Sequence, residues 1–391
     1  MWDRRGCGVL RRLDSFLLLF SDQAEKSRER LSGNRYFGVI SQHALVVITD
    51  LEPDDRLAIH LLASRFGSRQ LALVGTTVMH AGRKKILTRR LLDQLGLDKV
   101  PVIQGSGGKG GAYPSIASSA AARTYADEGK GILSEEELLI AEQAALGSPD
   151  LSREIWRLLK AAKEKEIVFA VMAAPTDLVT VLKQYPDLKE KIGAVYIMGG
   201  WVEAFSADGA GAVQRFATYN WNMDPEAAKT LFEIEGIQTI LFSSHIIKPT
   251  FGGGSINEGN YPDIINALRK AGQSMPSILE GFIAGESWDR HLIATIPTLG
   301  KIIGSFAGQQ FTPADPLLAA AMIDNDRIIM ETEKVSVRIA VNEVDFNRGY
   351  EVKVVPDASS SVEMVTRIDR ARFEVLMVEV LDRLPTIVAM N

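Results

Sequence analysis

The sequence predicts an α/β protein, a single domain with a mainly parallel central sheet flanked by helices on both faces. Short apolar runs alternate with stretches of helical spacing along most of the chain, the pattern left by parallel strands joined through crossover helices. With 391 residues and 46% hydrophobic content, the chain can bury a large core. No period of roughly 20 to 50 residues recurs, which argues against a repeat array.

The elements follow in order. Leu45 to Thr49 reads as a strand, and Asp55 to Ser64 as a helix with Leu57, Ile59, Leu61 and Leu62 on its apolar face. Leu71 to Thr77 is a second strand and Lys84 to Leu95 a second helix. Val100 to Ile103, Ile167 to Met172, Ala194 to Met198 and Thr239 to Phe242 are further short apolar runs bounded by turn residues. Such a sheet binds ligands at the carboxyl ends of its strands. Gly105 to Gly111 holds five glycines in seven residues, but the Walker and GxGxxG patterns are both absent, and a surface loop is the better reading.

Composition excludes several classes. A net charge of -5 lacks the basic surplus of a nucleic-acid binder. The single Cys7 excludes an internal disulfide framework and a cysteine-based zinc site, which fits a reducing, cytoplasmic setting. Phe16 to Phe20 is far shorter than the ~20 apolar residues a membrane span needs. Arg4, Arg5, Arg11 and Arg12 precede that run, so the segment reads either as a targeting sequence or as a surface helix. Residues 1–36 are expected to form a helical N-terminal extension to a domain spanning 37–391.

The first strand runs directly into Asp50, Glu52, Asp54 and Asp55, four carboxylates within six residues. Acids packed that closely repel one another unless a cation sits between them, some are protonated, or water reaches them all. Two readings stand: a hard-metal site, or a polar loop whose acids cap the next helix. Elsewhere, Ala173-Ala174-Pro175 after the Ile167 strand lets backbone carbonyls approach a ligand above the sheet. Asp224 before Pro225 is a good helix N-cap, which leaves Asn220 and Asn222 freer to meet a ligand. Asp315 precedes Pro316 and an apolar helix, so it is either a cap or a member of the acidic site.

These segments together resemble the inosine-uridine preferring nucleoside hydrolases. The acidic segment, Ala173-Ala174-Pro175-Thr176-Asp177, Ile197-Met198-Gly199-Gly200, the Asn220 to Ala228 segment, Ser244-His245, Asp315-Pro316-Leu317 and Asn347-Arg348-Gly349 occur in that family's order, over about residues 44 to 385. The resemblance implies one α/β domain holding a calcium ion below a ribose pocket. It implies Asp50, Asp55, the main-chain oxygen of Met172 and Asp315 as metal ligands, oxygen donors that suit calcium. It also implies Asp54 as the general base that takes a proton from the attacking water as the bond to nitrogen breaks. The expected activity is a calcium-dependent N-ribohydrolase of nucleoside salvage, acting on a small riboside, away from membranes and nucleic acid, as a dimer or tetramer.

The departures from the family pattern matter equally. The opening motif is two residues shorter, which leaves the division of roles among Glu52, Asp54 and Asp55 open. Asn220 matches a ribose-binding Asn, but Thr218 stands where the family has Glu, and Ala314 stands where it has the His that protonates the leaving base in some members. Another pocket His appears as Tyr125. His245 matches a family His and is expected at the pocket or its rim. His80 lies either at the pocket or in a solvated loop, and Met198 is expected on the pocket floor. Trp288 and His291 fall in the family's mobile base-pocket wall, where either could contact the base, though Trp288 could equally be core or oligomer contact. Two alternatives to a plain nucleoside hydrolase follow: a hydrolase of a larger or 5′-substituted ribosyl compound, and a binding protein with weakened turnover.

Overall fold

The computed structural model describes residues 43–51, 53–78, 80–106, 133–145, 151–200, 212–214, 218–243, 246–247, 259, 261–274, 313–345 and 349–390. The statements below concern these residues. Segment 1–36, most of the glycine run, and Asn347 and Arg348 lie outside them.

Strands β1 (Ala44–Thr49), β2 (Leu71–Thr76), β3 (Val102–Gln104), β4 (Ile167–Val171), β5 (Ile192–Met198), β6 (Ala212–Gln214), β7 (Thr239–Phe242), β8 (Ile329–Asp345), β9 (Gly349–Pro356) and β10 (Val362–Ile368) form one sheet, ordered β3-β2-β1-β4-β5-β7-β10-β8-β9-β6. From β3 to β10 every pairing is parallel. Beyond β10 the pairings are antiparallel. The chain steps from β1 outward to β2 and β3, then returns to β4 on the other side of β1. The strand order therefore reverses between β1 and β4, and a crevice opens above their carboxyl ends at such a reversal.

Helices α1 (Pro53–Gln70), α2 (Ala81–Gln94), α3 (Glu135–Ala145), α4 (Leu151–Ala161), α5 (Thr176–Gln184), α6 (Tyr219–Met223), α7 (Pro225–Glu233), α8 (Pro262–Ser274), α9 (Ala314–Ile323), α10 (Asn325–Ile328) and α11 (Arg370–Met390) complete the described fold. The parallel strands are buried on both faces, so they read as continuous apolar runs. Val46, Ile48, Phe169 and Ile197 pack with Leu151, Ile155, Leu178 and Leu231 of α4, α5 and α7. On β1, the alternate residues Leu45 and Val47 are just as buried. Helices α1 and α9 lie against each other, α1 also touching β1 and α9 touching β5. Helix α1 runs past its predicted end to Gln70 and is interrupted at Gly67, where φ is 57° and helical continuity is lost.

One sequence expectation changes here, and one alternative left open by the sequence closes. Asn222 is fully buried, and its side-chain oxygen accepts a hydrogen bond from the Tyr350 amide at 3.2 Å. It ties α6 to β9 and serves the fold. Asp315 is not a cap: α9 begins at Ala314 after Pro313, so Asp315 lies inside the first turn. Asp224 is the N-cap the sequence predicts, accepting from the Ala227 amide at 3.0 Å and from the Thr176 hydroxyl at 2.8 Å.

Candidate functional site

At the β1–β4 reversal, Asp50 follows the last residue of β1, while Asp54 and Asp55 occupy the first turn of α1. Negative side chains are favourable near a helix N-terminus, where unpaired N–H groups and the peptide dipoles present positive charge. Helix α9 delivers Asp315 to the same point. Its backbone amide lies 3.4 Å from a carboxylate oxygen of Asp54. Carboxylate oxygens of Asp54, Asp55 and Asp315 fall within 4.8 Å of one another. Asp50 and Asp55 are each 1% exposed and Asp315 4%, whereas Asp54 is partly open.

The electrostatics follow from that crowding. Burial first, then the charges of Asp50, Asp315 and Asp54, push the Asp55 carboxyl well above the ordinary carboxylate range, while a hydrogen bond from the Thr49 hydroxyl works against them. Such a cluster is compatible with full ionisation only beside a cation. Its donors are all oxygen and anionic when ionised, which fits a hard divalent ion and not a soft one.

Met172, whose carbonyl the family resemblance implies as a ligand, comes directly after β4, the strand paired with β1. Its amide bonds to Ile48 O at 2.8 Å, and its oxygen accepts from the Asn220 side-chain amide at 2.8 Å. A carbonyl oxygen has two lone pairs, so one remains for a second partner. Two of the residues singled out in the sequence are therefore in direct contact. Met198 ends β5 and is 6% exposed. Beyond it the backbone turns through Gly199 and Gly200, with φ of 156° and 73°. A Cβ at Gly199 would sit 2.1 Å from the Trp221 indole nitrogen, and one at Gly200 would sit 2.7 Å from the ring. The glycine pair is thus dictated by the buried indole beneath it. Thr218 donates no charge to this rim, and its hydroxyl accepts from the Gly200 amide at 3.0 Å.

Backbone strain gathers on the same edge of the sheet. Among the described residues four non-glycines have positive φ, and three of them, Leu51, Val78 and His80, follow β1 or β2. Val78 is β-branched and disfavoured there, at a cost of order 1–3 kcal/mol, so its surroundings must hold it. Its amide donates to Ser106 O at 2.9 Å. Ser106 is fixed in turn by buried Asp177, which accepts from its amide at 2.9 Å and its hydroxyl at 3.0 Å, and from the Ser152 hydroxyl at 2.7 Å. His80 is half-buried at the start of α2, where its carbonyl accepts from the Arg83 and Lys84 amides. Glu52, Tyr125, His245, Trp288 and His291 lie outside the described residues.

A family model described as inosine-uridine preferring nucleoside hydrolase matches residues 45–375, most of the chain. The chain belongs to that family. It is accordingly a hydrolase acting on N-glycosyl bonds. Solved nucleoside hydrolases share its fold at low identity. An inosine-guanosine nucleoside hydrolase is 15% identical with a TM-score of 0.60, the match covering 87% of this chain and 99% of that one. A purine-preferring ribonucleoside hydrolase from Gardnerella vaginalis is 18% identical, TM-score 0.60, covering 89% and 100%. An inosine-uridine preferring nucleoside hydrolase from Bacillus anthracis is 15% identical, TM-score 0.55, covering 87% and 99%. Among curated proteins none matches. No helix among the described residues is long and apolar enough to cross a membrane.

Sequence reasoning missed several buried polar residues of β1 and α1. Thr49 sits unremarked at the end of an apolar strand, and the signal was a hydroxyl beside an acidic run. His60 and Arg56 look like the polar face of an amphipathic helix, yet both are buried.

Proposed function

We propose that this nucleoside hydrolase is a calcium-dependent N-ribohydrolase that releases ribose and a free base from a small riboside. The observation that carries the reading is the convergence of Asp54, Asp55 and Asp315 at the strand-order reversal, in a chain of this family. Asp50, Asp55, the Met172 carbonyl and Asp315 would hold the ion. When bound, calcium would neutralise the buried acids and lower the pKa of a coordinated water.

The chain's own residues divide the remaining work. Asp54 is the partly exposed acid of the group and is the base, taking one proton from the attacking water as its oxygen bonds to the anomeric carbon. The C–N bond breaks as that bond forms, and its electron pair leaves with the nucleobase, which takes a proton from water to become the free base. The surrounding carboxylates stabilise the oxocarbenium-like charge that builds on the sugar. Asn220, held against Met172, positions ribose hydroxyls above Met198. Glu52, Tyr125, His80, His245, Trp288 and His291 are proposed to complete the sugar and base contacts.

A second reading, a 5′-substituted substrate, is favoured by one feature. Where the family has Glu, the rim carries neutral Thr218, its hydroxyl engaged with Gly200, so a 5′-phosphate meets no carboxylate at that position. The test of function is ribose release from inosine, uridine, nitrophenyl riboside and a 5′-phosphorylated nucleoside, each with calcium and with chelator. Calcium-dependent release from at least one is expected. Tight riboside binding without release would instead identify a binding protein.

A further inference from the structure

The acidic motif of this chain is short. Only three residues separate Asp50 from Asp54, and within that turn Leu51 adopts a φ of 54°. A compact turn with a non-glycine residue in the left-handed region needs local hydrogen bonds to hold it. Thr49, the last residue of β1, supplies them. Its hydroxyl accepts from the Leu51 amide at 2.9 Å and donates its own proton to a carboxylate oxygen of Asp55. The backbone carbonyl of Thr49 accepts from the Thr77 amide at 2.9 Å, which ties the same residue to the end of β2. Thr49 is fully buried, so water cannot take over these contacts.

We propose that Thr49 is a positioning residue for metal capture, its hydroxyl fixing both the shortened turn and the direction of the Asp55 carboxylate before the ion arrives. The inference rests on the calcium reading above and adds a residue to it. Partners that orient metal-ligating side chains typically contribute about 10- to 100-fold in metal affinity, because an unrestrained ligand must be ordered at binding. Thr49→Val keeps the shape and the β-branch but removes the hydroxyl, leaving the Leu51 amide without its acceptor and Asp55 without that donor. Thr49→Ser keeps the hydroxyl and loses one methyl.

The experiment is a calorimetric calcium titration of the metal-free full chain, alongside its thermal midpoint, for wild type, Thr49→Val, Thr49→Ala and Thr49→Ser. Thr239→Val, a buried change in β7 away from the acids, reports any loss of affinity that comes from general destabilisation. The expected result is a roughly 10- to 100-fold weaker calcium affinity for the Val and Ala variants, with near wild-type affinity for Ser and for Thr239→Val. Either Val or Ala suffices should the other not fold. Wild-type affinity in the folded Val or Ala variant, or equal weakening in Ser, would overturn the role of the hydroxyl. Wild-type protein that takes up no calcium would overturn the metal reading itself, a different outcome in the same titration.

Discussion

The proposed metal side and the proposed sugar side of this site are built differently. The metal side stands at the ends of fully buried strands and in the first turns of two helices packed against each other, so its oxygens are placed by the core. The proposed sugar side combines Asn220, half-buried and bonded to the Met172 carbonyl, and buried Met198 with positions where this chain departs from its family's pattern, Thr218 and Ala314. On this reading the metal chemistry rests on a well-packed base while the rim sets which riboside is accepted. The difference implies that damage to the metal side abolishes function, whereas changes at the rim redirect it.

The sharpest way to break this contrast is to remove one ligand at a time. Asp50→Ala, Asp55→Ala and Asp315→Ala are each expected to abolish calcium binding and turnover with the fold retained, because too few oxygens remain and the other acids still repel. Full occupancy in all three by calorimetry would dissolve the metal side as defined here. Next in size is Asp54→Asn, expected to cut turnover by ~10²-fold or more while riboside affinity barely moves. Near-normal turnover would move the base to Glu52 or Asp55.

The rim is tested by preference. With Ala314 offering no proton to a departing base, nitrophenyl riboside, whose leaving group needs little protonation, should show a kcat/KM at least ~10-fold above that of inosine. Inosine proving the best substrate would mean that another acid, such as His245 or His291, has taken that role.

Two smaller effects concern the protein without metal. The Asp55 carboxyl is raised in the folded state, so the folded chain keeps a proton that the unfolded chain loses near pH 4. Stability is therefore full below that pH and falls as pH rises through the raised value. Asp55→Asn should flatten this fall and raise the metal-free Tm at neutral pH, as chemical denaturation across pH would show. His60 has the opposite sign. Burial lowers its pKa from 6.5 to about 4, so its contribution is complete above pH 6.5 and is lost as pH falls toward 4, about 3 kcal/mol in all. His60→Gln should remove most of that acid limb.

Much of this was legible in the sequence, for physical reasons. Buried parallel strands leave continuous apolar runs, so β1, β2, β4, β5 and β7 were predicted to within two residues. The acids stood out because four carboxylates beside an apolar strand conflict with burial unless something offsets their charge. The antiparallel half was overlooked, although Val335, Val337 and Ile339 alternate with Lys334, Ser336 and Arg338 as a half-buried strand should. Asn222 was misread because its partner, the Tyr350 amide, lies 128 residues away. Asp54 and Asp315 are separated still further, by 261 residues, and only the family resemblance brought them together in advance. Local patterns reveal elements and charge density; contacts between distant segments require the topology.

The most direct measurement of the central claim is the rate of ribose release from nitrophenyl riboside by one preparation, first as purified, then after chelation, then after calcium is restored. The account predicts that chelation abolishes release while the protein stays folded by circular dichroism, and that stoichiometric calcium returns the full rate. An undiminished rate in chelator, or no release with calcium present, would contradict it.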